Sequence, residues 1–151
     1  MIKVVDGQVA DFLMNDKWAA GTGKFIEVMA TRLGADLNEM YELAAKGQPL
    51  AISAMCTVFA ESEVISHIGS GEKREDIAAG VIHSVANRVA NLAARFGVEE
   101  NIVLTGGLCE SPYFIQTLSD KLEHKVETDA FARYAGALGA ALTAAKRRDL
   151  V

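Results

Sequence analysis

The chain has 151 residues and a formal net charge of -5, a length that suits one ordinary domain or two small lobes and buries roughly two-thirds of the extended-chain surface. Half of its residues are apolar and 7% are aromatic, which fits closely packed helices on a sheet better than a β-sandwich. Its only basic cluster is Lys146-Arg147-Arg148 near the end, where positive charge suits a helix C-terminus, and no nucleic-acid surface is expected.

No window reaches the roughly 18 uninterrupted apolar residues of a membrane span, and the N-terminus lacks the layout of a signal peptide. The expectation is a cytoplasmic protein with no membrane partner. Two cysteines, Cys56 and Cys109, do not make a disulfide framework, and free thiols are equally compatible with this pattern.

The first expected element is a hairpin. Strands Ile2 to Val5 and Val9 to Met14 flank the pair Asp6-Gly7, the favoured chemistry of a two-residue turn. A helix follows from Lys24 to Leu33, ending at Gly34. Asp36 reads as the N-cap of a helix over Leu37 to Lys46, stopped by Gly47 and Pro49. Thr57 to Ile68 reads as helix, closed by Gly69-Ser70-Gly71. The longest helical pattern is Arg74 to Phe96, with Ile77, Val81, Val85, Val89 and Leu92 spaced by three and four and Gly97 as the stop. A short strand at Ile102 to Leu104 leads into Thr105-Gly106-Gly107. Helices over Ser111 to Leu122 and Ala132 to Ala145 enclose a strand at Lys125 to Glu127. The order ββ, several helices, then β-α-β-α predicts an α/β fold in a single domain over residues 1–151.

Two glycine-bearing junctions between strand and helix stand out. Residues 15 to 23, Asn15-Asp16-Lys17-Trp18-Ala19-Ala20-Gly21-Thr22-Gly23, carry the chain from a strand to a helix. Glycine lets backbone approach a ligand, and the first N–H groups of a helix lack internal partners, so phosphate oxygens suit this place. Taken alone, it reads first as an ordinary connection with Trp18 packed on the core. Thr105-Gly106-Gly107 follows a strand and is either a tight turn or a backbone cradle. Gly136-Ala137-Leu138-Gly139-Ala140-Ala141, inside the last helix, points to close helix packing rather than to ligand contact.

Cys56 lies just ahead of a helix, where the dipole would stabilise a thiolate and improve it as a metal ligand. A lone buried cysteine is also simply a small hydrophobe, and no spacing suited to zinc accompanies it. His67, His83 and His124 are scattered without a partner pattern. Glu61 and Glu63 read as solvated helix positions, one of which could face a ligand.

Four segments in unbroken order carry a resemblance: Asn15-Asp16-Lys17 with Ala19-Ala20-Gly21-Thr22-Gly23, Cys56-Thr57-Val58-Phe59-Ala60-Glu61-Ser62-Glu63-Val64, Thr105-Gly106-Gly107, and Gly136-Ala137-Leu138-Gly139-Ala140-Ala141. Together the chain resembles the activators of 2-hydroxyacyl-CoA dehydratases and benzoyl-CoA reductases, the BadF/BadG/BcrA/BcrD ATPase family. The resemblance implies a ribonuclease-H-like, actin-type ATPase fold of which this chain is the second, C-terminal domain. It implies a homodimer holding one 4Fe-4S cluster between subunits, ATP or ADP as the nucleotide, and an acyl-CoA dehydratase or reductase component as the partner receiving one electron. On it, Thr105, Gly106 and Gly107 lie at the nucleotide, and Gly21, Thr22 and Gly23 open the helix linking that site to the cluster. Cys56 matches one cluster cysteine.

Two departures qualify what the resemblance implies. The family's other cluster cysteine falls at position 18, here Trp18, so a dimer presents two thiolates where such a cluster usually takes four. The family's first domain, and a second phosphate hairpin of Asp-Ile-Gly-Gly-Gln-Asp type, precede the stretch present here, and with them go the carboxylates for metal and water. The expected reading is therefore a fragment or divergent form of an activator: dimeric, without a complete cluster, nucleotide-site-like and without turnover of its own. Two alternatives remain: a working electron-transfer ATPase completed by a separate N-terminal chain, and a non-catalytic interaction module that has lost nucleotide affinity.

Overall fold

A computed structural model describes residues 1–14, 22–53 and 57–148. The chain opens with strands β1 (Ile2–Val5) and β2 (Gln8–Phe12), paired antiparallel. Asp6 and Gly7 both take positive φ, 50° and 73°, the turn geometry whose twist matches that of the flanking strands. The register pairs Ile2 with Phe12 and Val4 with Val9, with an irregularity between Lys3 and Val4 that restores the alternation.

Four helices follow: α1 (Thr22–Arg32), α2 (Leu37–Ala44), α3 (Thr57–Gly69) and α4 (Arg74–Phe96). The Asp36 carboxylate caps α2 by accepting from the Glu39 N–H at 2.9 Å, as the sequence suggested. Helix α4 has the predicted bounds, and its apolar spacing marks the face that packs on α2 and α5. Burial nevertheless extends all round it: from Ile77 to Ala86 every residue is buried except His83. A helix apolar on every side belongs in the middle of a structure, and α4 touches α1, α2, α3 and α5 (Pro112–Leu122). Phe25, Ile26, Met29, Met40, Val64, Phe114 and Leu118 from those neighbours complete the core.

A strap formed by residues 47–52 lies across α4. Asp76 holds it, its side chain accepting from the Gln48 N–H at 2.7 Å and its carbonyl from the Leu50 N–H at 3.3 Å. Two glycines permit the contact: a Cβ on Gly47 would lie 2.0 Å from the Glu75 carbonyl oxygen, and one on Gly80 would lie 2.5 Å from that of Leu50. The sequence marked Gly47 only as a helix stop and did not single out Gly80. Close approach was instead expected at Gly136 and Gly139, where an added Cβ would meet nothing within 4 Å among the described residues.

The C-terminal part is β3 (Ile102–Val103), a 3-10 turn over Gly107–Glu110, α5, β4 (Val126–Glu127), a second 3-10 turn over Ala132–Tyr134 and α6 (Ala135–Arg148). Ser111, fully buried, caps α5 by accepting from the Phe114 N–H at 3.2 Å, with Pro112 in the first turn. Strands β3 and β4 pair in parallel with α5 as the crossover, Ile102 opposite Val126 and Val103 opposite Glu127. The α/β element order is the predicted one. No described helix is long and apolar enough to cross a membrane.

Candidate functional site

Parallel strands release their chain ends on the same side, so the loops following β3 and β4 meet at one edge, the usual ligand position in sheets of this kind. Backbone bonds join the two loops. The Leu104 N–H donates to the Glu127 carbonyl at 2.8 Å, the Thr128 hydroxyl to the Leu104 carbonyl at 3.2 Å, and the Gly106 N–H to the Ala132 carbonyl at 3.0 Å. Gly106 has φ 85° and ψ -177°, a region essentially closed to residues with a Cβ. An added Cβ on Gly106 or Gly107 would meet nothing within 4 Å. Glycine here serves backbone conformation and leaves the main chain open to an approaching molecule.

Beside this loop is a cleft of about 660 Å³, lined by Asn38, Cys109, Glu110, Thr128, Asp129 and Arg133, within the size of small-molecule sites. Asp129 shapes its far wall: its carboxylate accepts from the Phe131 N–H at 2.8 Å and its carbonyl from the Ala132 N–H at 3.0 Å. Arg133 pairs with Glu110, a contact that holds the guanidinium even more firmly protonated than usual. Burial, helped by the Glu110 charge, pushes the Tyr41 phenol above its ordinary range. Cys109 is buried, with a free thiol. The cleft thus offers one cation braced by a carboxylate, a second carboxylate and the polar side chains of Asn38 and Thr128, next to the turn that follows Gly106.

The other glycine junction lies elsewhere. Thr22 and Gly23 form the first turn of α1, which packs against α2, α3 and α4, whereas the 3-10 turn after Gly106 packs against α5 and the second 3-10 turn. Neither Thr22 nor Gly23 lines the cleft beside Gly106. Gly21, Trp18 and Cys56 fall outside the described residues. Among the described residues no group of three or more His, Cys, Asp or Glu side chains is placed to hold a metal. Glu61 is paired with Arg32 at 2.5 Å, tying α3 to α1, and Glu63 accepts from the Ser53 N–H, tying α3 to the segment that follows the strap. His83 is half-buried, its Nε2 3.3 Å from the Tyr113 hydroxyl. His124 lies 2.7 Å from the Leu122 carbonyl.

Asn38, Thr128, Asp129 and Arg133 went unnoticed in the sequence. The signal that would have found Thr128 and Asp129 was already there: the second expected strand at residues 125–127 must end in a loop beside the one after the first.

Residues 1–144 match the BadF/BadG/BcrA/BcrD ATPase family. The chain belongs to this family. It is 46% identical over 148 residues to the (R)-2-hydroxyglutaryl-CoA dehydratase activating ATPase of Acidaminococcus fermentans, covering 97% of this chain and 57% of that relative. The crystal structure of the Acidaminococcus fermentans (R)-2-hydroxyglutaryl-CoA dehydratase component A superposes with a TM-score of 0.87 at 46% identity, over 94% of this chain and 55% of that one. The activator of the 2-hydroxyisocaproyl-CoA dehydratase from Clostridium difficile, with bound ADPNP, superposes with a TM-score of 0.88 at 40% identity, over 99% of this chain and 58% of that one. This member of the family therefore spans little more than half the length of these relatives, and its fold is that of the activator ATPases.

Proposed function

We propose that this family member is the nucleotide-facing second domain of an activator that serves a 2-hydroxyacyl-CoA dehydratase, and that by itself it neither turns over ATP nor holds a complete 4Fe-4S cluster. The observation that carries the reading is the cleft at the ends of β3 and β4, with the Gly106 backbone open beside it. In support, a structural relative superposes over 99% of this chain and was solved with bound ADPNP. In this reading Thr105, Gly106 and Gly107 present backbone to the nucleotide, and Arg133, braced by Glu110, faces its negative charge. By family resemblance Gly21, Thr22 and Gly23 belong to the link between this site and the dimer axis.

The donor set does not fit an iron-sulfur cluster. Position 18 holds an indole, whose only polar group is an N–H donor, leaving Cys56 as one thiolate per chain. The family's dimer has a different support in this chain. Val58 and Ile65 share one face of α3, with Phe59 beside them, and all three are exposed. Pairing with a second copy would cover this apolar face.

Titration calorimetry with Mg-ADP tests the site. Binding that is lost in Gly106→Val and weakened in Arg133→Ala is expected, and no heat with the unaltered chain would overturn the nucleotide reading. Steady ATP hydrolysis, or absorbance near 400 nm after anaerobic iron and sulfide reconstitution, would overturn the rest. Sedimentation should show a dimer at micromolar concentration that iron chelators leave unchanged; a monomer would remove the α3 interface.

A further inference from the structure

Two turns that are distant in sequence meet through a single pair of charges. Glu110 ends the 3-10 turn after β3, Arg133 lies in the 3-10 turn after β4, and the guanidinium donates directly to the carboxylate. Among the described residues Arg133 is the only cation lining the cleft, and it stands against the carboxylates of Glu110 and Asp129. Negative charge is therefore in excess there. The Glu110 charge extends to the α2 wall, since it adds to burial in pushing the Tyr41 phenol above its ordinary range. An anion entering this cleft meets net repulsion unless Arg133 turns to it.

The pair is placed so that such an exchange costs little. The side chains of Arg133 and Glu110 are 50% and 52% exposed, and water solvates ions in that setting nearly as well as their partners do. Glu110, once released, stays in solvent and does not become a buried unpaired charge. Arg133 has a second support that does not depend on Glu110. Its guanidinium carbon lies 5.9 Å from the centre of the Tyr134 ring, within reach of a cation–π contact. The guanidinium can thus trade one anion for another and keep this seat. A phosphate group and a carboxylate both match its forked N–H groups, so the two acceptors compete for the same donors.

We propose that Glu110 is an internal competitor for Arg133: it holds the guanidinium until a phosphate-bearing ligand displaces it, and so sets the affinity of the cleft for such ligands. The inference rests on reading the cleft as a place for a phosphate-bearing molecule. It makes Glu110 a residue that tunes binding and does not block it, because an exposed pair is weak. Removing its charge should tighten anion binding by about two- to fivefold. A general field effect of one negative charge predicts a different pattern, since that gain would persist after Arg133 is removed.

A double-mutant cycle on the full chain tests this, with inorganic pyrophosphate and Mg-ADP as separate probes. Binding is followed by the amide chemical shifts of Gly106, Gly107 and Thr128, and the same spectra report whether each variant is folded. Glu110→Gln and Glu110→Ala should each tighten pyrophosphate about two- to fivefold, with a gain that shrinks as salt is raised. In the Arg133→Ala background neither change should improve binding. A gain that survives without Arg133, no gain in either Glu110 variant, or no pyrophosphate binding in any of them would overturn the proposal. Mg-ADP that fails to bind while the pyrophosphate cycle runs as expected would remove the nucleotide reading and leave the competition intact. Mg-ADP and pyrophosphate that bind no tighter to the Glu110 variants than to the unaltered chain would do the reverse.

Discussion

The body around α4 and the two outer elements, the hairpin and α6, have similar local sequence quality and opposite fates. Ile77, Val81, Ile82 and Val85 are fully buried, each contributing on the order of 1.5–3 kcal/mol relative to exposure. Ile2, Val4, Phe12 and Leu142 are as apolar and as well spaced, and they face water. Good periodicity therefore makes an element ready for burial without supplying the surface that buries it. The body has that surface because α1, α2, α3 and α5 lie around one central helix.

Substitutions that separate these regions make the contrast measurable. The largest effect is expected at the strap: Gly47→Ala puts a Cβ against backbone that cannot rotate away, so urea denaturation should show a loss above about 3 kcal/mol. Equal stability would mean that the strap does not rest on α4. Next comes a matched pair, Ile82→Ala in the body and Leu142→Ala on α6. The first should cost about 2–5 kcal/mol and the second less than about 0.5 kcal/mol in the chain alone; equal losses would abolish the distinction. Ser111→Ala removes a buried cap and should cost about 1–2 kcal/mol.

The smallest effect concerns pH. Burial, helped by the positive charge of Lys121 and opposed by Asp120, holds the His83 imidazole below its ordinary value of 6.5. The folded chain therefore binds this proton less readily than the unfolded chain does. Stability is present in full above pH 6.5 and declines as pH falls from there toward the lowered value. His83→Gln should flatten that decline in urea titrations at successive pH values, and an unchanged slope would assign it to other groups.

Much of the fold was legible locally. Asp6-Gly7 dictates the hairpin because both residues tolerate positive φ, Asp36 and Ser111 mark helix starts through their side-chain oxygens, and the spacing from Ile77 to Leu92 gives α4 its full length. The site was legible by halves. Thr105-Gly106-Gly107 announced itself through its glycines, whereas Asp129 and Arg133 belong to a loop whose relevance depends on β4 lying parallel to β3. Pairing between strands more than twenty residues apart leaves no local pattern.

The amino-acid order alone therefore determined where elements begin and end and which family the motifs resemble, because caps, turns and periodicity act over a few neighbouring residues. Tertiary structure decided which glycines are indispensable, since the contact of Gly47 with Glu75 and of Gly80 with Leu50 joins segments distant along the chain. It also decided that the apolar faces of the hairpin and α6 lie open, because burial is a property of what packs against a residue and not of the residue itself.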